Sequence, residues 1–227
     1  ICKCQFVAGK TKAEYALRAG RTVDDKNLES KSLSTIGLAL AMQGKQSAAR
    51  RRVEAGLELA INHNLKEGIA CAYTQLAYVH GYQGDYTGQH SSFGTAIDFC
   101  KREGLQTSEN ACLGCMAYAA FRLGDWKQST KLARQVQAKD ESNLFASAGL
   151  GLVYTMRGQV KQARRSLESV ALGAQEKGIT PIELVVAPAL AQLDHYTNAH
   201  TAAISRFRGL LKQWESTEDC FDSLFGL

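Results

Sequence analysis

Proline is nearly absent from this sequence, with two residues in 227, and aromatic residues make up only 8% of the chain. So little proline, beside many Ala, Leu, Gln, Lys and Arg residues, favours helix along the whole length. No uninterrupted apolar run approaches the roughly 20 residues of a membrane-spanning helix, and no signal peptide is recognisable. We therefore expect a cytoplasmic chain with no membrane contact. Because it begins at Ile1 rather than Met, we also expect a segment of a longer protein.

Clusters of catalytic or metal-binding residues are also missing. The five histidines are scattered, and none forms a metal-spaced pair such as H-E-x-x-H. The seven cysteines are an odd number without a disulfide spacing pattern, and the C-x-x-C of Cys112 and Cys115 has no further ligands nearby. We interpret these two cysteines as small packing residues, and we expect no enzyme activity, no metal and no cofactor.

An evenly spaced series of turns is what the chain has instead. Residues that tolerate positive φ recur between apolar helical stretches at spacings of 34 to 40 residues. The turns predicted in this way are near Gly9, Gly44, Gly84, Gly124, Gly158 and Asn198. Such a period indicates stacked helix pairs. We therefore expect an all-α solenoid of about five antiparallel pairs in a single domain, residues 1–227.

Two further patterns support the helix pairs. Helix-ending residues followed by an apolar one come twenty residues after three of the turns, at Asn64, Gly104 and Gly178. Small residues lie seven positions before the turns, and mostly large apolar residues lie nine positions after them. The small ones are Gly37, Ala77, Ala117, Gly151 and Ala191, and their counterparts are Val53, Phe93, Ala133, Leu167 and Phe207. This alternation predicts interlocking helices that bury a shared core.

The last predicted pair has two local features. Thr180 and Glu183 flank Pro181 in the pattern of a capping box, which predicts that a helix begins here with Thr180 as its cap. Pro188 falls inside the same helix, where it lacks a backbone N–H and crowds the carbonyl of Leu184. We therefore expect a kink at Pro188.

These positions together resemble the tetratricopeptide repeat (TPR) from about Gly9 to Trp214. The matching features are the small residue before the turn, the turn glycine, the aspartate and aromatic residue that follow Gly84 and Gly124, and an alanine such as Ala49. Ala163 and Ala203 match the same alanine position. The resemblance implies a right-handed superhelical stack of TPR-like helix pairs, with a period of about 34–40 residues.

The carboxyl end resembles a narrower group, the helical-repeat region of large bacterial LuxR-type transcriptional regulators that carry an ATPase module. Trp214, Glu215, Thr217, Glu218 and Asp219 carry this resemblance. In that group the repeats receive signals or partner contacts. The resemblance therefore implies a signal-receiving segment that reaches DNA only through a separate domain outside this chain. No phosphate-loop motif occurs in this chain itself.

The TPR resemblance also implies a binding groove lined by the first helix of each pair. Its lining would be mainly aromatic and apolar, with Arg122 able to hold a carboxylate. The implied groove residues are Ser34, Leu38, Met42, Thr74, Tyr78, Tyr82, Tyr118, Phe121, Arg122, Leu152, Thr155, Met156, Gln192, His195 and Tyr196. Such a surface suits a protein or peptide partner, or a small hydrophobic effector. The same aromatic spacing also fits packing between helices.

A basic stripe supports a different hypothesis. Cations lie six or seven residues after three of the turns, at Arg50, Arg51, Lys131, Arg164 and Arg165, and the formal net charge is +5. They could form a face that contacts nucleic-acid phosphates, or a solvated surface. Two alternatives to the regulator segment therefore stand: a free-standing TPR adaptor for protein assembly, and a nucleic-acid-binding solenoid.

Overall fold

The computed structural model describes residues 5–215, apart from the side chain of Trp214. This part of the chain consists of eleven α-helices, and none of its residues lies in a strand. The helices are α1 (Phe6–Thr22), α2 (Lys26–Met42), α3 (Gln46–Asn62), α4 (Lys66–Tyr82), α5 (Tyr86–Glu103), α6 (Gln106–Arg122), α7 (Trp126–Gln137), α8 (Leu144–Met156), α9 (Val160–Lys177), α10 (Thr180–Tyr196) and α11 (His200–Glu215). The predicted all-α fold is confirmed.

The described residues form two compact units, Gln5–Cys112 and 113–215, and the boundary falls inside α6. In the first unit, α2 packs against α1 and α3, and α4 packs against α2, α3 and α5. In the second unit, α8 packs against α7, α9 and α10, and α10 also packs against α9 and α11. Helix pairs therefore stack within each unit, while a single domain over residues 1–227 stays a prediction.

Tight turns join the helices at residues with positive φ. The turn residues Gly44, Gly84, Gly124, Gly158 and Asn198 have φ between 60° and 79°. Asn64, Gly104 and Gly178, where the second pattern predicts helix ends, have φ between 52° and 72°. A side chain beginning with Cβ is strained in this conformation, which glycine adopts freely and asparagine tolerates. The residue type at each turn therefore follows from the positive φ that the turn requires.

The predicted turn near Gly9 is wrong. Gly9 lies inside α1, and its N–H donates to the carbonyl oxygen of Gln5 at 2.9 Å. A glycine inside a helix costs only about 1 kcal/mol relative to alanine, and the helix-forming residues after Gly9 favour continuation. The first turn among the described residues is at Asp24, with a φ of 56°, so α1 precedes the first complete pair.

Aspartate side chains explain why the sequence repeats Gly-Asp-aromatic. The Asp85 carboxylate accepts a hydrogen bond from the Gly88 N–H at 2.8 Å, and the Asp125 carboxylate accepts one from the Gln128 N–H at 2.9 Å. Each aspartate is the N-cap of the helix that begins at the following aromatic residue. The cap satisfies an N–H that has no partner within the helix, so each aspartate fixes where a second helix begins.

The beginning of α10 differs from the predicted capping box. Ile179 is the N-cap residue, and no side chain caps this helix. The predicted Thr180 cap is wrong, because Thr180 is already the first helical residue and the Glu183 carboxylate accepts from the Gln213 amide of α11 instead. Helix α10 runs without interruption through the buried Pro188, and the kink there stays a prediction.

Small and large residues meet where the repeat positions predict. A Cβ at Gly151 would lie only 2.7 Å from Leu167 Cδ2, so α8 and α9 approach closely at this glycine. The large-residue positions of the interior pairs, Val53, Phe93, Ala133 and Leu167, are all 0% exposed. Phe207 is at the same position of the last pair but is 41% exposed. The interior pairs therefore bury a position that α11 leaves open.

Candidate binding surface

Five of the predicted groove residues are packing residues. Ser34, Leu38, Met42, Phe121 and Leu152 are at most 7% exposed. Phe121 and Leu152 belong to one hydrophobic cluster that also contains Leu167. The prediction that these five line an open groove is wrong, because neighbouring helices cover their positions.

In the first unit, the remaining predicted groove residues are half-buried. The Tyr78 ring meets the Phe93 ring edge to face, with centroids 5.6 Å apart, and Tyr82 packs against the core. Thr74 Oγ1 lies 3.3 Å from Cys112 Sγ. These contacts hold the three side chains against neighbouring helices. Much of the side-chain surface that the sequence predicted for ligand binding is therefore buried in packing.

In the second unit, Tyr118 and Arg122 form a local pair. Arg122 Nη1 donates a hydrogen bond to the Tyr118 hydroxyl at 3.2 Å. The Tyr118 ring also stacks on Phe121, with centroids 6.4 Å apart. Arg122 therefore has an intramolecular partner, and its role in holding a ligand carboxylate stays a prediction.

The exposed members of the predicted groove gather at the ends of α8 and α10. Met156 is 51% exposed and Tyr196 is 70% exposed, whereas Gln192 is half-buried. A cleft of about 350 Å³ opens here, within the size range of small-ligand sites. Its lining residues are Thr155, Met156, Gly158, Val160, Gln192, Leu193 and Tyr196. His195 is also exposed, and its ring centroid is 6.1 Å from that of Tyr196.

Two turns shape this α8–α10 cleft. Helix α8 ends just before Gly158, whose φ of 68° reverses the chain, and Val160 begins α9 two residues later. At the end of α10, Thr197 Oγ1 donates to the Leu193 carbonyl oxygen at 2.8 Å. Leu193 is only 1% exposed and lies behind the cleft surface, while the Gln192 side chain brings an amide that can both donate and accept.

The sequence did not indicate Val160 and Leu193 as lining residues. Both lie outside the first-helix positions that the TPR resemblance supplies. Leu193 is at a core position, where only its neighbours decide whether part of it reaches a cleft. The position of Val160 could have been predicted, because Val160 follows the turn at Gly158 by two residues and therefore lies near the end of α8.

A buried carboxylate holds α10 beside the cleft. Asp194 is 3% exposed; its Oδ1 accepts from Arg164 Nη1 at 2.7 Å, and its Oδ2 accepts from Arg206 Nε at 2.6 Å. Burial opposes ionisation of this carboxyl, but the hydrogen bonds and charges of the two arginines outweigh burial and lower its pKa. The carboxylate therefore ties α10 to α9 and to α11.

The predicted basic face is only partly available. Arg164 is held by Asp194, so its assignment to a free basic face is wrong. Arg50, Arg51, Lys131 and Arg165 are exposed. Exposed cations on a second helix are also typical of an ordinary solvated surface. A nucleic-acid contact through these residues stays a prediction.

The two C-x-x-C cysteines lie in the interior. Cys112 is 1% exposed and Cys115 is 5% exposed, and burial raises the pKa of the Cys112 thiol. Within residues 5–215, no group of three or more His, Cys, Asp or Glu side chains is arranged to hold a metal ion. None of the described helices is both long enough and apolar enough to cross a membrane.

Comparison with known proteins gives matches in structure only. No family model and no curated protein matches the chain. BtubC (BKLC) from P. vanneervenii superposes with a TM-score of 0.67 at 12% identity, over 93% of this chain and 91% of its own. The TPR-like repeats of a putative kinesin light chain from Podosopora anserina give 0.55 at 17% identity, over 80% and 92%. The MamA RS-1 ArsTM double mutant gives 0.51 at 16% identity, over 85% and 96%.

These similarities concern the fold. They agree with the stacked helix pairs described above. The chain is therefore a helical-repeat protein with a TPR-like fold.

Proposed function

We propose that this chain is a non-catalytic binding module that takes an apolar side chain of a partner protein or peptide into the α8–α10 cleft. The observation that carries the proposal is the exposure of Met156 and Tyr196, at 51% and 70%, on the rim of this cleft. Large apolar side chains left in water at a concave site favour a ligand that covers them. Stacked helix pairs are also a common scaffold for such surfaces.

The chemistry of the lining limits the ligand. None of its seven residues carries a charge, so the ligand group that enters is uncharged and mainly apolar. The Gln192 amide can pair with one peptide N–H or C=O beside that group. A peptide with a leucine, methionine or aromatic anchor has this chemistry, and a small hydrophobic effector shares the apolar part of it.

The test compares two tyrosines of almost equal exposure. Peptides are selected against the whole chain from a displayed random library, and their binding is measured by fluorescence anisotropy. Replacing Tyr196 by alanine, or Met156 by alanine, should weaken binding about tenfold, as the loss of an anchor contact at an interface does. Tyr15→Ala is the matched control, because Tyr15 is 69% exposed on α1 and should leave the affinity unchanged. Equal affinities for all variants would place the binding site elsewhere.

A narrower form of the proposal is the signal-receiving segment of a LuxR-type transcriptional regulator in the cytoplasm. The resemblance that supports it rests on Trp214, Glu215 and three residues, Thr217, Glu218 and Asp219, that lie outside the described residues. In this setting the chain would reach DNA only through another domain. Sequencing the coding region on both sides is the test, and a phosphate loop upstream with a helix-turn-helix downstream is the expected result. A start and a stop codon at the ends of this segment would favour a free-standing adaptor instead.

A further inference from the structure

Two exposed histidines meet across the turn between α10 and α11. His195 lies in the final turn of α10, and His200 is the first residue of α11. Both residues are exposed, and their ring centroids are 5.1 Å apart with an angle of 54° between the ring planes. Within residues 5–215, no side-chain hydrogen bond holds either ring. We call these two residues the histidine pair.

The repeat explains why these two positions meet. They lie three residues before and two residues after the turn residue. At the same positions of two other pairs, the Gln46 amide donates to the Ala41 carbonyl oxygen at 3.3 Å, and Phe121 and Trp126 pack in one hydrophobic cluster. The last pair carries a histidine at both positions. A motif such as H-E-x-x-H describes one helix, so it cannot indicate two histidines that meet across a turn.

Hydrogen bonds fix the backbone that carries the histidine pair. The Ala199 N–H donates to the Asp194 carbonyl oxygen at 2.8 Å, and the Asn198 N–H donates to the His195 carbonyl oxygen at 3.0 Å. The Asp194 carboxylate also accepts from Arg206 of α11 at 2.6 Å. Ligand residues on rigid elements lose less conformational entropy on binding. The two histidines are therefore held close together before any ligand arrives.

The separation of the two rings suits one shared metal ion. Neutral imidazole is a common ligand of Zn²⁺, with about 2.0–2.1 Å between nitrogen and metal. A ring centroid lies about 1.2 Å behind its nitrogen, so two imidazoles on one tetrahedral ion have centroids about 5.2 Å apart. The observed 5.1 Å agrees with this value. Exposed side chains rotate within picoseconds to nanoseconds, so each ring can turn a nitrogen towards the ion.

We propose that His195 and His200 together bind one divalent transition-metal ion, with Zn²⁺ as the ion that their separation fits. Each side chain supplies one ring nitrogen. Because no group of three His, Cys, Asp or Glu side chains is arranged for a metal within residues 5–215, water or a partner's side chain fills the remaining positions. Tyr196, on the rim of the α8–α10 cleft, directly follows His195, so the ion lies beside the cleft. Its binding does not depend on a peptide in the cleft.

Isothermal titration calorimetry of the full chain with zinc chloride tests this proposal. Replacing either His195 or His200 by glutamine should lower the zinc affinity at least tenfold, since even losing a residue that only supports a metal ligand costs about 10–100-fold. His63→Gln is the matched control, because His63 is also an exposed histidine at a helix end, and the affinity should not change. Zinc bound by cysteine thiols elsewhere would appear equally in every variant. Circular dichroism checks that each variant keeps its helix content.

A double variant distinguishes one shared ion from two separate ions. If both rings hold the same ion, His195→Gln combined with His200→Gln should lose the same single equivalent of zinc as either variant alone. Losses that add up would overturn the proposal, because each histidine would then bind its own ion. An unaltered chain that binds no zinc, or single variants that keep its zinc affinity, would overturn it as well.

Discussion

Replacing Gly37 by alanine tests a close helix contact of the first unit. Gly37 is in α2, at the small position seven residues before its turn, and it faces Val53 of α3. An added methyl group would overlap Val53 Cγ2 and would lie 2.8 Å from the carbonyl oxygen of Ala49. Backbone cannot move aside without shifting α3, and the β-branched Val53 has little rotamer freedom in a helix. The two helices therefore have to separate.

The size of the effect follows from two opposing terms. Alanine in place of glycine inside a helix stabilises by about 1 kcal/mol. Overpacking in a close-packed core costs about 1–3 kcal/mol, and a backbone contact belongs at the upper end of that range. We expect Gly37→Ala to destabilise the protein by about 1–2 kcal/mol. Gly94→Ala is the control, because a methyl group at Gly94 in α5 meets nothing within 4 Å, so only the helical gain remains.

Urea denaturation followed by far-ultraviolet circular dichroism compares the two variants, with the midpoint at constant slope as the measure of stability. The midpoint should fall for Gly37→Ala and rise for Gly94→Ala. Adding Val53→Ala to the first variant removes one of its two clashes and should show a coupling of about 0.5–3 kcal/mol between the two sites. If Gly37→Ala stabilises as much as Gly94→Ala, α2 and α3 are not as close as described.

Two further predictions concern ionisable side chains. Asp194→Asn should destabilise by about 2 kcal/mol at neutral pH, because two charge-assisted hydrogen bonds lose their acceptor charge. The pKa of Asp194 is lower in the folded state than its ordinary value of 3.8, so this stabilisation is present above that value and is lost as pH falls through the lowered pKa. Urea midpoints across pH should therefore converge at acid pH, and Asp24→Asn, whose side chain is 84% exposed, should change little. Burial raises the pKa of Cys100 to about 11, so iodoacetamide should modify this thiol only when urea unfolds the chain. Mass spectrometry measures the modification. Rapid modification of Cys100 in the native protein would contradict its burial.

The turns could be predicted from the sequence because positive φ selects for so few residue types. Gly84 and Gly124 precede an aspartate that caps the next helix, and this pair of signals is local and unambiguous. Gly9 shows that a glycine without the capping aspartate is not enough to predict a turn. A glycine also fits inside a helix at modest cost, and the residue directly after Gly9 is Lys10, which does not cap a helix as aspartate does.

The candidate site was only partly predictable, because exposure depends on what the neighbouring pair contributes. Leu152 and Met156 are one helical turn apart on the same helix, yet Leu152 is 1% exposed and Met156 is 51% exposed. Their residue types do not distinguish them. Arg164 and Asp194 are thirty residues apart, and no local pattern indicates that they meet. Contacts between pairs therefore decide which predicted groove residues remain open to a ligand.

The α8–α10 cleft and the Asp194 bridge are linked through one helix. Gln192 and Leu193 precede Asp194 directly, and Tyr196 follows it by two residues. Helix α10 therefore carries three of the seven lining residues close to the position that Asp194 fixes. One arginine holds that carboxylate from α9 and the other from α11. A rim fixed in this way loses less conformational entropy when a ligand binds than a mobile rim would. The stability of the last pair and the affinity of the proposed site therefore depend on the same buried charge.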